Sequence, residues 1–297
     1  MWYAPKKRKI RKERNDMLLK LRKNHVILYC LLATVLCVVL SFAMKLLRTL
    51  ATNWKLFSDA ILSHEYLWTV FYDVFMALVM VLMLKKTGKI SLLTKKGSGL
   101  FHSIKVSLFL LIYSGIVMII SLIEIAGKGY ALGSFGSILL FLFAMCMVGV
   151  AEELVARAVI AETLLEHFGL SHAGILKACW LSSAIFGLMH FTNLAAVDFY
   201  SVTLQAIGAA CCGAVFAAIY FRTGSLAMAV FVHAFNDFAG LFATGLFNVG
   251  SIAGTLSEMG QVGLVRLIPA AILAFVAFFL LRKSKTDEVK AQWEDER

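Results

Sequence analysis

Long apolar runs, separated by short polar stretches, repeat along the chain. Runs of about 20 apolar residues are long enough to cross a bilayer as helices, and helices satisfy their own backbone hydrogen bonds in lipid. The pattern therefore predicts an all-α fold, a polytopic membrane helical bundle with about eight transmembrane helices. The predicted spans are Val26–Leu47, Tyr66–Leu84, Ile104–Ile125, Phe135–Glu152, Ala173–Phe191, Val202–Phe221, Leu226–Phe247 and Val262–Leu281.

The composition supports a membrane protein and excludes an ordinary soluble domain. Of the 297 residues, 60% are hydrophobic and 16% are charged, whereas soluble domains have about 45–50% and about 25%. Residues 1–24 hold ten of the basic residues and only two acids. We interpret residues 1–25 as a basic cytoplasmic arm that orients the first span, and we expect no nucleic-acid partner. The first apolar run is too long for the core of a cleaved signal peptide.

The remaining charges predict the topology. Lysines are concentrated between the second and third spans, and basic residues recur in every second loop and after the last span. The bias of positive charge towards cytoplasmic loops predicts that both termini are cytoplasmic. We interpret residues 283–297 as a polar cytoplasmic tail, and we expect residues 286–297 to be a frayed helix or disordered. We also expect residues 1–24 and 286–297 to be dispensable for activity.

Polar residues interrupt the apolar sequence in three places within the second half of the chain. The first is Glu152-Glu153 with Arg157, the second is His190, and the third is His233 with Asn236 and Asp237. An ionisable group in hydrocarbon costs at least ~2.5–3.5 kcal/mol on insertion scales, so such residues usually face the bundle interior and mark function. Carboxylates, imidazoles and an amide are the components of a hydrolytic site.

The spacing of these residues leaves several interpretations open. On a helix, Glu153 and Arg157 are neighbours on one face and can form an ion pair, with Glu152 about 100° around the helix axis. The cluster could instead be interfacial, His190 could be a core histidine, and the third group could be a polar seam between helices. A Glu near a His can deprotonate water, and a second His with an amide can stabilise an oxyanion.

The same residue types also suit a divalent metal. Imidazole and carboxylate are normal zinc ligands. The candidate zinc ligands are Glu152, His190, His233 and Asp237. The residues alone do not choose between a metal site and a metal-free site. No HExxH motif is present, because Trp68 follows His64-Glu65 where a second histidine would be needed.

The order of these clusters resembles that of a known family. Glu152 to Arg157 matches EExxxR, Phe186 to His190 matches FxxxH, and His233 to Asp237 matches HxxxN/D. Residues 220–226 resemble the YxxTGSL turn that precedes the last motif. Together the four motifs, within about residues 135–247, resemble the CPBP family of type II CAAX prenyl endopeptidases and their bacterial relatives, which include bacteriocin-processing and immunity proteins.

The resemblance implies a helical intramembrane endopeptidase, with a catalytic membrane core at residues 131–282 after N-terminal membrane helices at 26–130. It implies that Glu152 is the general base on water, assisted by His190, and that Glu153 and Arg157 support it. His233 and residue 237 would form the oxyanion site. Position 237 departs from this pattern, because an ionised Asp cannot donate a hydrogen bond; Asp237 could be protonated, bind metal, or leave donation to Asn236.

The expected partners are the lipid bilayer, in a bacterial plasma membrane, and a membrane-associated or lipidated peptide or protein whose peptide bond is hydrolysed. The alternative is a non-enzymatic binding or immunity protein on the same scaffold.

Two further features of the sequence are interpreted as packing. They are the six cysteines, which lie within spans, and the small residues of Gly208–Ala214, which allow close helix contact. Asp73 in the second span is unexplained: it could line the cavity or pair with a residue of another helix.

The predicted spans place two of the site residues too far apart. Straight spans with the predicted ends place Glu152 and His190 about 24 Å apart along the membrane normal, at 1.5 Å rise per residue. A pair that activates water must lie within ~3 Å or one water molecule. We therefore expect the helices to tilt, to break, or to end elsewhere than the apolar runs suggest.

Overall fold

The computed structural model describes residues 17–55 and 64–294, and its helices follow the apolar runs. The α-helices are α1 (Met17–Asn24), α2 (Val26–Asn53), α3 (Glu65–Thr87), α4 (Leu100–Ile125), α5 (Phe135–Glu153), α6 (Glu162–Phe168), α7 (His172–Met189), α8 (Phe199–Thr223), α9 (Leu226–Gly240), α10 (Phe242–Phe247), α11 (Ile252–Val262), α12 (Leu267–Leu280) and α13 (Thr286–Trp293). A π-helical segment, Leu154–Ala161, joins α5 to α6. These described residues contain no strand, so the all-α prediction is confirmed.

Seven helical stretches in the described part of the chain are long and apolar enough to cross a membrane. The seventh predicted span, Leu226–Phe247, is divided, because α9 ends at Gly240 and α10 begins at Phe242. Two other predicted boundaries were wrong. The fourth span continues to Phe168, and the last one, Ile252–Leu280, begins ten residues early. The outer faces of α2, α4 and α12 expose many large apolar side chains, as lipid-facing helices do.

The bundle is organised around α8, which packs against α7, α9, α11 and α12. Small residues allow the closest approaches. A Cβ on Gly149 of α5 would lie 2.9 Å from the carbonyl oxygen of Val230 on α9. A Cβ on Gly213 of α8 would lie 2.9 Å from the ring of Phe186 on α7, which agrees with the packing role predicted for Gly208–Ala214, although Gly208 itself faces open space.

The YxxTGSL segment forms the turn between α8 and α9. Gly224 ends α8 with a φ of 65°, in the left-handed region that favours glycine. Ser225 then caps α9, because its hydroxyl accepts a hydrogen bond from the Met228 N–H at 3.1 Å. The hydroxyl of Thr223 accepts from the Ser225 N–H and donates to the Ile219 carbonyl. The turn therefore fixes where α9 begins, seven residues before His233.

Both ends of the described chain pack against the bundle. Arg22 of α1 is only 4% exposed and forms ion pairs with Glu162 and Glu166 of α6. At the other end, α13 buries Trp293, whose indole N–H donates to the Phe221 carbonyl at 2.8 Å. For residues 286–293 the predicted helix is therefore present, but it is packed and neither frayed nor disordered, because Val289 and Trp293 give α13 an apolar face. Residues 1–16 of the predicted arm and 295–297 of the tail lie outside the described residues.

Candidate active site

The unexpected length of the fourth span brings Glu152 level with His190. From Glu152 the helix continues for 16 residues to Phe168, about 24 Å at 1.5 Å per residue. The chain turns through Gly169 and returns along α7, where His190 lies 18 residues after His172, about 27 Å from the turn. The two side chains are thus at similar heights in a helical hairpin, which removes the 24 Å separation expected from the apolar runs.

All five residues predicted to be catalytic line one cavity of about 570 Å³. Helices α2, α3, α5, α7 and α9 contribute to its wall, together with the start of α11. The predicted residues in its lining are Glu152, His190, His233, Asn236 and Asp237. The structure therefore brings together side chains separated by up to 85 positions in the sequence.

The ion pair predicted within the first motif is present and fully buried. Arg157 Nη2 donates to Glu153 Oε1 at 3.0 Å, and Arg157 Nε lies 2.8 Å from Glu153 Oε2. Both side chains are 0% exposed. Arg157 lies within the π-helical segment, where helices often carry functional residues. The pair neutralises Glu153 and leaves Glu152, which is 24% exposed, as the carboxylate of this motif that faces the cavity.

Two phenylalanine rings hold the imidazoles against this ion pair. The ring of Phe216 stacks on His233 at 4.4 Å with an interplanar angle of 19°. Phe186 meets His190 and His233 edge to face, at 5.0 and 5.8 Å. The Arg157 guanidinium lies 5.1 Å from Phe186 and 5.5 Å from Phe216. The aromatic layer therefore fixes the planes of both imidazoles.

His233 lies among three carboxylates. Its Nδ1 is 2.8 Å from Glu153 Oε1. Its Nε2 is 3.5 Å from Glu152 Oε2 and 3.4 Å from Asp237 Oδ2. Since a carboxylate accepts hydrogen bonds, the contact with Glu153 places a proton on Nδ1. Nε2 is left to exchange or share a proton with the two carboxylates that line the cavity.

The hydrogen bond of His190 defines its tautomer. Its Nδ1 lies 2.9 Å from the carbonyl oxygen of Phe186. A carbonyl only accepts hydrogen bonds, so Nδ1 carries the proton. In the neutral ring Nε2 then keeps its lone pair, and it can accept a hydrogen bond from a water molecule or a substrate group in the cavity.

Asn236 is oriented by a residue that the motifs do not include. The hydroxyl of Ser114, on α4, donates to Asn236 Oδ1 at 3.2 Å. Ser114 is completely buried. Because this contact occupies the amide oxygen, the Asn236 NH₂ group is left as the hydrogen-bond donor. The structure thus offers a donor at position 236 beside the acceptor at position 237.

The candidate zinc ligands were tested against the same geometry. Within residues 17–55 and 64–294, no group of three or more His, Cys, Asp or Glu side chains has an arrangement that could hold a metal ion. Glu152, His233 and Asp237 are close, but the carboxylates both approach the same imidazole nitrogen, which a metal ion would need to face. This arrangement does not fit a zinc ion bound by His233 together with both carboxylates.

Two residues of the site, Ser114 and Phe216, were not identified from the sequence. Asp73 was left with two alternatives, and the structure supports the first of them, because Asp73 lines the cavity from α3. A buried polar residue in an apolar span was a usable signal there and also at Ser114. Phe216 carried no signal, because a phenylalanine in a membrane helix is common.

The fold and the cavity define a class of protein. It is a helical membrane protein with an internal cavity lined by carboxylate, imidazole and amide groups.

Comparison with known proteins shows a similarity to one family. A family model described as type II CAAX prenyl endopeptidase Rce1-like matches residues 134–239. This segment contains all four motifs, and the match confirms the family resemblance inferred from them. It supports, in general terms, a CAAX-type intramembrane protease. No curated protein and no solved structure shows a significant match to the chain.

Proposed function

We propose that this protein is an intramembrane endopeptidase that hydrolyses a peptide bond with a water molecule activated by Glu152. The main support is the convergence of Glu152, His190, His233 and Asn236 on one cavity in a membrane bundle. The family match over residues 134–239 supports the same class of reaction.

In the proposed first step, Glu152 takes a proton from water as the water oxygen attacks the peptide carbonyl carbon. The Nε2 lone pair of His190 accepts the second water hydrogen and orients the nucleophile. The buried pair of Glu153 with Arg157 leaves Glu152 as the free carboxylate at this position.

The tetrahedral intermediate carries a negative oxygen that needs hydrogen-bond donors. We assign this role to the Asn236 amide, whose orientation is set by Ser114, and to His233 Nε2–H when that nitrogen is protonated. Asp237, as an acceptor, positions His233. Glu152 then delivers its proton to the leaving amine nitrogen as the C–N bond breaks, which restores the site.

The location of the cavity supports a proposal for the substrate class. A site within a membrane bundle takes a membrane-associated or lipidated peptide or protein, and the bilayer is its second partner. We further propose cytoplasmic termini, on the basis of the distribution of Lys and Arg between the loops. The proposed location, a bacterial plasma membrane, is based on the resemblance to a family that has bacterial members.

The test is Glu152→Gln in the full chain, purified and assayed on a library of peptides. Removing a general base should lower kcat/KM by about 10²- to 10⁴-fold. The matched control is Glu166→Gln, the same change on the same long helical stretch but away from the cavity, which should retain activity. Full activity of the Glu152 variant would refute the assignment.

The same assay separates the alternatives left open by the residues. If the alanine variants of Glu152, His190 and His233 cleave no peptide but keep the effect of the protein in its host cell, the non-enzymatic binding or immunity protein is favoured. Loss of activity on chelation, restored by Zn²⁺, would favour the zinc site.

A further inference from the structure

Asp73 is a buried acid that the proposed reaction does not use. It lies on α3, outside the segment matched by the family model, and is only 2% exposed. Among the described residues, no group forms a hydrogen bond with its Oδ2 atom. The side chain nevertheless lines the cavity. A buried polar atom without a hydrogen bond is costly, so a hydrogen-bond donor that enters the cavity would be stabilised at this atom.

Among the described lining residues, one end of the cavity has charges of both signs, from Lys45, Arg48 and Glu65. The hydroxyl of Tyr72 lies 3.5 Å from the Cys37 carbonyl, which places this turn of α3 beside Cys37. Lys45, also in the lining, is eight residues further along α2, about 12 Å away. Its amine donates to the Thr192 carbonyl at 2.7 Å. Arg48 lines the cavity one turn beyond Lys45.

The opposite end of the cavity is acidic. Asp73 is within electrostatic reach of two carboxylates, Glu152 and Asp237, and of one imidazole, that of His233, and all four side chains line the cavity. Among the described lining residues, the basic side chains other than histidine are Lys45 and Arg48, at the far end. The acidic end therefore has more carboxylates than positive groups to pair with them.

Building on the proposed function, we propose that Asp73 forms a specificity subsite for a Lys or Arg side chain of the peptide substrate. An ammonium or guanidinium donates the charge-assisted hydrogen bonds that the carboxylate lacks. Met76 and Met145, in the same lining, provide flexible apolar surface for the aliphatic stem of such a side chain. Because Asp73 is near Glu152, the basic residue is one that adjoins the cleaved bond.

The test uses pairs of peptides that differ only in arginine or its uncharged analogue citrulline at each position around the cleaved bond. At one position the wild-type protein should prefer arginine by roughly 10- to 100-fold in kcat/KM, as expected for hydrogen bonds to a charged group. Asp73→Asn should abolish this ratio, and Asp73→Glu should restore part of it. The control is Glu65→Gln, an acid at the other end of the cavity, which should keep the preference.

Two results would overturn the subsite: no preference at any position in the wild type, or a preference that survives in Asp73→Asn. The second result includes an equal loss of activity on both peptides, which a purely structural role of Asp73 would produce. Measurements of peptide binding test the subsite independently of catalysis. The Glu152→Gln protein should bind the arginine peptide roughly tenfold tighter than the citrulline peptide, and adding Asp73→Asn should remove the difference even if the assignment of Glu152 as base fails.

Discussion

Two groups of acids on one long helical stretch, Phe135–Phe168, differ in how they are paired. Glu162 and Glu166 lie near its end and contact Arg22 at 2.5 and 2.7 Å and Lys89 at 2.7 and 2.9 Å. Glu152, near the middle, has no Lys or Arg within ion-pair distance among the described residues. Its neighbour there is His233, at 3.5 Å.

The difference separates acids that have a structural role from an acid that is available for chemistry. A carboxylate held by two cations is committed to packing, because any reaction would break its contacts. A carboxylate that faces a cavity with few partners is free to exchange protons with water or substrate. Glu153 shows that the boundary is sharp, since it adjoins Glu152 and is fully paired with Arg157. Substitutions that disrupt the paired acids should therefore lower stability, whereas a substitution of Glu152 should lower activity.

The largest effect on stability is expected from Arg157→Met. The change leaves Glu153 buried without its partner, and removing one member of a buried pair costs about 3–5 kcal/mol. Activity should fall as well, because Glu153 also holds His233. Chemical unfolding in detergent micelles measures the loss. The control is Arg266→Met, an exposed arginine, and a similar stability for both variants would contradict the structural role of the pair.

A smaller loss is expected from Arg22→Gln. Arg22 donates to Glu162, Glu166 and Thr163, and hydrogen bonds to charged groups contribute about 1.5–3 kcal/mol. Lys89 still contacts both acids, which limits the damage. Unfolding in micelles should show the loss, whereas Lys23→Gln, at the exposed neighbouring residue, should be nearly neutral. If deletion of residues 1–24 proved harmless to stability, the packing role of α1 would be wrong.

The attachment of α13 should depend weakly on pH. Partial burial alone would raise the pKa of Glu288, but hydrogen bonds from Lys285 and Arg222 outweigh it and lower the pKa. A lowered pKa means that this anchor is complete at neutral pH and is lost as the pH falls through that lowered value. Because the side chain of Glu288 is 31% exposed, the contribution is only about 0.2–1 kcal/mol.

The measurement is the emission of Trp293, obtained by subtracting the spectrum of Trp293→Phe during a titration from pH 7 to pH 3. We expect a small shift to longer wavelength on acidification, because a slightly larger fraction of molecules then has the indole outside its buried position. Glu288→Gln should remove most of this pH dependence. An unchanged titration in that variant would show that other contacts hold the helix.

The apolar pattern predicted the helices well because hydrocarbon length and backbone pairing dictate them. It placed the end of the fourth span at Glu152, however, because the chain becomes polar there. The helix continues since Arg157 neutralises Glu153 and lets both remain buried. The tail was misjudged for a related reason: two apolar residues, Val289 and Trp293, suffice to dock a polar helix against a bundle that the sequence alone does not show.

The candidate site was predictable where a polar residue broke an apolar run. Glu152, His190 and His233 stand out in this way, and their order also matched a family pattern. The contact of Ser114 with Asn236 could not be foreseen, because it joins helices 122 positions apart in the sequence. Nor could the role of Phe216, since stacking depends on the rotation of α8 about its own axis.

The smallest expected effect, the influence of Glu152→Gln on stability, gives the sharpest form of the comparison. Replacing a paired acid removes contacts, but replacing Glu152 removes a negative charge that lies near those of Glu153 and Asp237. We expect the stability of this variant in micelles to be unchanged or slightly raised, although its activity is lost, as is common where an active site carries strain. Glu153→Gln should instead be destabilised, because Arg157 would lose its counter-ion. Equal losses in both variants would mean that Glu152 is held as firmly as its neighbour and is part of the packing.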